Sequence, residues 1–259
     1  MKPRAWILVT SLLPGCTAPN ALAPGDSGVL DLTHPFNEKT IYWPTAESFH
    51  LEAVKHGYDD KGRWYASNDY RASEHGGTHL DAPIHFAPGV RAVADIPLAQ
   101  LIGPARVIDI RQQCAADPDY LLAPEDIRAH EARHGPIEPG AVVLVLTGFG
   151  AFYPDARRYL GSDVRGIATG LHFPGIGEAA ARLLVERRID IVGLDTASLD
   201  HGPSTDFAAH RVFSESNTPG VENVANLEKL PPVGATVLAL PMKIEGGTGA
   251  PCRVIAVLP

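Results

Sequence analysis

Ser73-Glu74-His75-Gly76-Gly77-Thr78-His79-Leu80-Asp81-Ala82-Pro83-Ile84-His85-Phe86 gathers three histidines and two carboxylates within fourteen residues. His75, His79, Asp81 and His85 stand at odd positions, so an extended backbone projects all four to one side. A helix would split them, leaving His75 and His79 on one face and Asp81 and His85 well round the cylinder. Gly76-Gly77 and Pro83 disfavour a helix, and Pro83 also disfavours a central strand. The segment is therefore expected as an irregular extended stretch at a sheet edge or in a loop, with imidazoles and a carboxylate converging. An unpaired buried carboxylate is costly, so four ionisable groups on one side of a Gly-rich stretch call for a partner. A divalent metal suits this donor set. Neutral imidazole and carboxylate serve zinc, manganese, iron or nickel, and no thiolate is nearby to narrow the choice.

Outward from this segment, strand and helix signals alternate. Val29-Leu30-Asp31-Leu32 reads as a short strand leading into Thr33-His34-Pro35. His56 to Tyr70 is polar and aromatic and reads as an exposed excursion, serving as a lid, as an oligomer contact or simply as a long loop. Ala105 to Ile110 reads as a strand. Pro124-Glu125-Asp126 opens a helix that runs to about His134, with proline in the first turn, acids at the positive end of the dipole and Gly135 to stop it. His130 and His134 lie four apart on that helix, but Arg128, Glu131 and Arg133 around them indicate a solvated face. Ala141 to Leu146 is a continuous apolar run suited to a buried strand. Ile176 to Arg187 is helical, with Ala179, Ala180, Leu183 and Leu184 on its apolar face. Ile189 to Leu194 forms another buried strand and delivers Asp195 and the Ser198–His201 turn to its carboxyl end, where ligands gather in α/β sheets. Thr236 to Leu240 and Arg253 to Leu258 are further strands. The sum is one mixed α/β domain over residues 25–259, without an internal repeat.

The 259 residues suffice for one large domain with a substantial core. Hydrophobic content of 45% and charged content of 20% are those of an ordinary globular protein. A net charge of -8 offers no basic patch for nucleic acid or anionic lipid. Three cysteines, Cys16, Cys114 and Cys252, are too few for a disulfide framework, and Cys114 and Cys252 are expected as buried thiols rather than a single bridge. Residues 1–24 read as a leader. Lys2 and Arg4 precede an apolar run from Trp6 to Leu13, far short of the about 20 residues that a membrane span needs. The run fits a secretory signal. Leu13-Pro14-Gly15-Cys16 resembles a lipobox, which makes Cys16 a candidate lipid anchor, and Ala21-Leu22-Ala23 is an alternative cleavage point. Export to the periplasm, soluble or as a membrane-anchored lipoprotein, is the expectation, with a cytoplasmic enzyme as the alternative.

The opening segment resembles the H-x-G-T-H-x-D-x-P-x-H-F signature of the cyclase-like metal hydrolases, the family that includes bacterial kynurenine formamidase and isatin hydrolase. His75, Gly77, Thr78, His79, Asp81, Pro83, His85 and Phe86 all match. A second block continues the likeness: Asp195-Thr196-Ala197-Ser198-Leu199-Asp200, then His210, then Glu222-Asn223-Val224-Ala225-Asn226-Leu227. The closing Gly246-Gly247-Thr248-Gly249-Ala250-Pro251 is also similar to the family. The resemblance implies a single mixed-sheet α/β domain of the cyclase type, assembled as a homodimer or homotetramer. It implies that His75, His79 and Asp81 bind the metal, that His210 and Glu222 complete a site for one or two ions of zinc or manganese per subunit, and that His85 is the catalytic acid/base. Nothing local ties His210 or Glu222 to His75.

Such a site suits hydrolysis of an amide or similar acyl bond. A bound divalent metal lowers the pKa of water from about 15.7 to about 7 and polarises a carbonyl, while an imidazole carries protons near neutral pH. The leading expectation from the resemblance is an arylformamidase-like amidohydrolase acting on N-formyl-kynurenine or a related small aryl amide. Opening of a cyclic amide or lactone, as in isatin hydrolase, is the alternative, and a non-catalytic exported metal-binding protein is the alternative of another class. Export favours a scavenging or detoxifying hydrolase over routine tryptophan catabolism. Neither a G-x-S-x-G nucleophile elbow nor a G-x-G-x-x-G fingerprint occurs. His201, Asn223, Asn226, Asp195, Trp64 and Tyr65 are read as structural residues: Asn223 and Asn226 tie down backbone near Glu222, Asp195 stands behind the site, and Trp64 and Tyr65 serve packing.

Overall fold

The computed structural model describes residues 28–259, and the expected leader with Cys16 lies outside the described residues. The strands are β1 (Val29–Asp31), β2 (His50–Tyr58), β3 (Trp64–Arg71), β4 (His79–Asp81), β5 (Ile102–Asp109), β6 (Leu121–Leu122), β7 (Val142–Leu146), β8 (Gly175–Ile176), β9 (Ile191–Leu194), β10 (Gly220–Glu222), β11 (Val233–Pro241) and β12 (Gly249–Val257). The helices are α1 (Arg111–Ala116), α2 (Pro124–His134), α3 (Ala156–Leu160), α4 (Glu178–Glu186) and α5 (Ala208–Glu215). Among the described residues no helix is long and apolar enough to cross a membrane.

One eight-stranded sheet runs β1-β12-β11-β5-β7-β9-β10-β4, and β4 pairs on its other side with β12. That last pairing closes seven strands into a barrel-like ring, which leaves no open edge beside β4. β12 is long enough to serve two partners along one edge: Gly249–Pro251 pair with β4, and Ile255–Val257 pair with β1. The strands from β5 through β7 and β9 to β10 are parallel, and the remainder pair antiparallel, so the expected mixed sheet is found.

Side chains alternate between two apolar cores. Val143, Val145, Val192 and Leu194 face the helices, where Ile127 of α2, Leu184 of α4 and Val212 of α5 cover them. Val142, Leu144 and Ile191 face the ring interior with Leu80, Val221 and Val254. Burial on both faces is why β7 and β9 read as unbroken apolar runs instead of alternating ones. Cys114 and Cys252 are buried free thiols, as expected.

The same alternation positions the motif. Leu80 is fully buried in the ring, so His79 and Asp81 on either side of it face outward, beneath α5. The expected extended stretch is thereby corrected in two respects. Only His79–Asp81 is strand, and it lies inside a closed ring rather than at an edge. Pro83 falls beyond the strand as the first residue of a 3-10 turn, Pro83–His85, so no ladder hydrogen bond is lost and the turn carries His85 back to the site. The expected loop from His56 to Tyr70 is instead most of an antiparallel hairpin, β2 with β3. His130, expected on a solvated face, is 5% exposed, and burial lowers its pKa to about 4.

Candidate metal centre and its cavity

Strand register builds the centre. His79 lies opposite Glu222 of β10, and Asp81 lies opposite both Gly220 of β10 and Gly249 of β12. Directly opposed side chains in an antiparallel ladder approach to about 5 Å, so His79 meets Glu222 while two glycines leave room around Asp81. A Cβ on Gly249 would stand 2.5 Å from Cε1 of His75, so the His75 ring fills the space that this glycine leaves. His210 descends from the first turn of α5. Its Nε2 lies 3.0 Å from Glu222 Oε1 and 3.2 Å from Asp81 Oδ2.

Asp81 is the hub. Its Oδ1 is 2.6 Å from His75 Nδ1 and 3.1 Å from His79 Nε2, while its Oδ2 faces His210. Two donor groups share it: His75, His79 and Asp81, and Asp81, His210 and Glu222, with ligand atoms in each group within 4.8 Å of one another. The structure thus brings all five residues expected to hold metal into one cluster, with His79, Asp81, His210 and Glu222 buried and His75 half-buried.

Each imidazole is held from behind by an acceptor, which assigns its tautomer. His79 donates Nδ1–H to the Gly77 carbonyl at 3.0 Å, and Asn223 Nδ2 donates to the same carbonyl at 2.8 Å. Gly77 turns that carbonyl into place from a left-handed conformation, φ 57°. His210 donates Nδ1–H to Asp200 Oδ2 at 2.6 Å, and Asp200 also accepts the backbone N–H groups of Ala209 and His210. This one carboxylate therefore caps α5 and orients its histidine. His75 is inverted: Nε2–H faces Thr248 Oγ1 at 2.9 Å, and the Thr248 hydroxyl donates onward to Glu74 Oε2 at 2.6 Å. A hydroxyl with its only proton committed to Glu74 can only accept from His75. His75 consequently offers the Nδ1 lone pair to the cluster, whereas His79 and His210 offer Nε2.

The residues fit a divalent ion. His79 Nε2 is buried without a hydrogen-bond partner, aimed at Asp81 and, at 3.5 Å, at Glu222; a cation is what satisfies such an orphan. Burial disfavours the charged form of His79, yet Asp81 and Glu222 outweigh it and raise the pKa to about 9. His210 also rises well above the ordinary value, against burial, through Asp200, Asp81 and Glu222. Burial opposes ionisation of Asp81, but His79 and His210 hold it well below the usual carboxylate range, and burial with the Asp81 charge pushes Glu222 up. Two carboxylates among three imidazoles thus draw positive charge into a buried site.

The cluster forms one wall of a cavity of about 300 Å³. Tyr42, Trp43, Phe86 and Phe207 supply aromatic walls, and among the described residues that line it none is Lys or Arg. Phe207 sits in the left-handed region at φ 50°, ψ 47°, a strained conformation for a bulky residue, costing on the order of 1–3 kcal/mol. It holds the ring 5.3 Å from Phe86 and 6.2 Å from Trp43. His85 stacks on His75, with ring centroids 3.8 Å apart and planes at 19°. His85 is exposed on the cavity side, yet the protein packed against its ring lowers its pKa to about 4, desolvation and the neighbouring histidines outweighing Asp81.

Other residues fall outside the cluster. Asp195 accepts the N–H groups of Thr147, Gly148 and Gly150 and so clamps that loop. Asn226 donates to the Asp31 carbonyl, His34 stacks on Tyr153, and Trp64 and Tyr65 stand on the hairpin. Sequence reasoning passed over Glu74, Thr248, Asp200, Trp43 and Phe207. Glu74 adjoins the motif, but its partner is 174 residues away, so spacing carries no signal of the pairing.

The Cyclase family model, described as "Putative cyclase", matches residues 30–201. Isatin hydrolase of Roseibium aggregatum is 37% identical over 212 residues, 78% of this chain and 78% of that protein. Kynurenine formamidase of Salinibacter ruber is 26% identical over 231 residues, covering 88% and 96%. The solved structure of isatin hydrolase A from Ralstonia solanacearum superposes with a TM-score of 0.80 at 34% identity, over 89% of this chain and 92% of that one. The chain belongs to the cyclase family of metal-dependent hydrolases.

Proposed function

We propose that the protein hydrolyses the amide bond of small, uncharged aryl amides, with cyclic amides of the isatin kind as the best fit. The observation that carries this reading is the cavity itself: four aromatic rings face a cluster of metal donors, and no Lys or Arg among its described lining residues meets a charged substrate end. Aromatic walls bury a flat aryl ring through large contact area and stacking. The similarity to isatin hydrolase points the same way.

His75, His79, Asp81, His210 and Glu222 would hold one or two divalent ions, zinc or manganese by donor type. The ion, when bound, supplies Lewis acidity at the scissile carbonyl and makes water acidic enough to attack near neutral pH. Asp81, shared by both donor groups, fixes the spacing between them. His85 is neutral at physiological pH and lies on the cavity side of His75, so it takes the proton from the attacking water and returns it to the leaving nitrogen. Its stacking on His75 keeps the ring from swinging away. Phe86 and Phe207 shield the reacting end from bulk water.

The second reading, hydrolysis of N-formyl-kynurenine, draws on the kynurenine formamidase relatives. That substrate carries an ammonium and a carboxylate, and the latter lacks a cationic partner among the described lining residues. The test is a side-by-side assay of metal-loaded protein with isatin, formanilide and N-formyl-kynurenine. Turnover of isatin at least tenfold above the formyl amino acid, abolished by chelator, is expected. Preference for N-formyl-kynurenine would sink the cyclic-amide reading, and turnover untouched by chelator would sink the metal mechanism.

A further inference from the structure

Trp43-Pro44-Thr45-Ala46 forms a β-turn, closed by the Ala46 N–H, which donates to the Trp43 carbonyl at 2.9 Å. Proline in the second position presets the backbone angle that such a turn needs. The turn is one wall of the aromatic cavity: Trp43 and Ala46 line it, and the Trp43 ring meets Phe207 edge-on. Its two flanks are fixed. Tyr42 bridges to Gly76, its ring filling the space that a Cβ on Gly76 would need, and Glu47 exchanges hydrogen bonds with Ser73. A second cavity of about 270 Å³ shares Ile41 and Tyr42 with the first and is lined by Pro44. The turn therefore stands as a partition with open space on both sides.

A loop distant in sequence holds this partition. Residues 161–171 leave and return at one base, where the His172 N–H donates to the Leu160 carbonyl at 2.9 Å, the geometry of an Ω-loop. Arg157 of α3 donates from Nε and Nη2 to the Asp163 carboxylate at 3.2 and 3.0 Å and anchors the loop to the helix. From this loop Arg165 reaches the turn. Its Nη1 donates to the Trp43 carbonyl at 3.2 Å, and its Nη2 donates to the Ala46 carbonyl. The Gly166 N–H donates to the Pro44 carbonyl at 2.8 Å. Three carbonyls of the turn are thus taken by two consecutive residues, and the rigid fork of a guanidinium serves two of them at once.

We propose that Arg165 is a positioning residue, which latches the Trp43 turn against the cavity and so sets how tightly an aryl substrate is held. The substrate in this statement rests on the aryl-amide reading; the latch itself can be observed without one. Arg165 lines the second cavity and not the first, so it touches neither the metal donors nor His85. Its loss acts on binding and leaves proton transfer alone. Hydrogen bonds from a charged donor are the stronger kind, so losing this pair should weaken aryl binding roughly tenfold.

The test has two arms, both on the metal-loaded full chain with circular dichroism as a check of folding. With Trp6 and Trp64 replaced by phenylalanine, Trp43 is the sole tryptophan, and acrylamide quenching of its fluorescence reads the latch without substrate. Arg165→Met should raise the quenching constant about twofold as the turn loosens. Arg165→Lys, which keeps donors near the carbonyls, should recover most of the wild-type value, and Arg182→Met on α4 should leave it unchanged. In the second arm, with all three tryptophans present, Arg165→Met should raise KM for isatin roughly tenfold while kcat stays within about twofold. Unchanged quenching in Arg165→Met overturns the proposal whatever the substrate. Raised quenching with an unchanged KM overturns it too, as does a loss confined to kcat. A wild type that leaves isatin intact defeats the cyclic-amide reading instead, and the quenching arm then decides the latch alone.

Discussion

Thr248→Val isolates the hydroxyl that sets the His75 tautomer. Valine keeps the shape of threonine and leaves the backbone N–H groups of Thr248 and Gly249 on Glu74, at 3.0 and 3.3 Å, so the loop keeps its anchor. What disappears is the acceptor 2.9 Å from His75 Nε2. The ring is then free to carry its proton on Nδ1, where Asp81 Oδ1 waits 2.6 Å away. That proton would occupy the space between two donors that an ion must share. Loss of an outer hydrogen-bond partner typically weakens metal binding 10- to 100-fold, which is about 1.4 to 2.8 kcal/mol. Competition against a chromophoric chelator with manganese or zinc measures this directly, with Thr248→Ser as the control that restores the hydroxyl. Affinity of Thr248→Val within twofold of wild type would refute the reasoning. An equal loss in Thr248→Ser would mean that packing, rather than the hydroxyl, holds His75.

Three further outcomes are expected. His85→Ala should keep its metal while turnover falls by roughly 10²- to 10⁴-fold; unchanged turnover at full metal content would remove His85 from the proton-carrying role. Asp81→Ala should bind neither ion, because both donor groups contain Asp81, and elemental analysis finding full occupancy would contradict the shared-ligand geometry. The pH dependence of the metal-free protein follows from His79, whose pKa Asp81 and Glu222 raise from the ordinary 6.5 to about 9. A raised folded-state value stabilises the fold fully below the unfolded value and loses that contribution as pH climbs through the folded one. The melting temperature of metal-free protein should therefore decline between about pH 6.5 and 9, while metal affinity increases over the same window as protons leave the imidazoles. A flat melting profile in a His79-intact protein would argue against carboxylates that pull charge into the site.

Much of the fold could be read along the chain. β7 and β9 are apolar runs of strand length, and α2 announces itself through Pro124, its first-turn acids and Gly135. α5 could not be read in this way: it starts at a strained Phe207 without a side-chain cap, and its capping carboxylate, Asp200, stands well upstream in the sequence. The hairpin was also hidden, because its apolar and charged residues alternate across two strands and change phase at a bulge. Three of the five donors were legible for a simple reason: His75, His79 and Asp81 lie within seven residues, and the spacing of such a short segment is a local property. Resemblance named His210 and Glu222, but no spacing connects them to His75.

Sequence alone determined that a metal-binding segment of imidazoles and a carboxylate lies in a mixed α/β chain, since donor type and local periodicity are written residue by residue. Tertiary structure decided everything that depends on closing the ring. Once β4 is held between β10 and β12, cross-strand register sets Glu222 against His79 and opens the space at Gly249 that His75 fills. The loop beside Gly249 then brings Thr248 to His75, and the packing of α5 brings His210 to Asp81. Such contacts join residues more than a hundred positions apart, and they exist only after the chain has paid the entropy of long-range pairing.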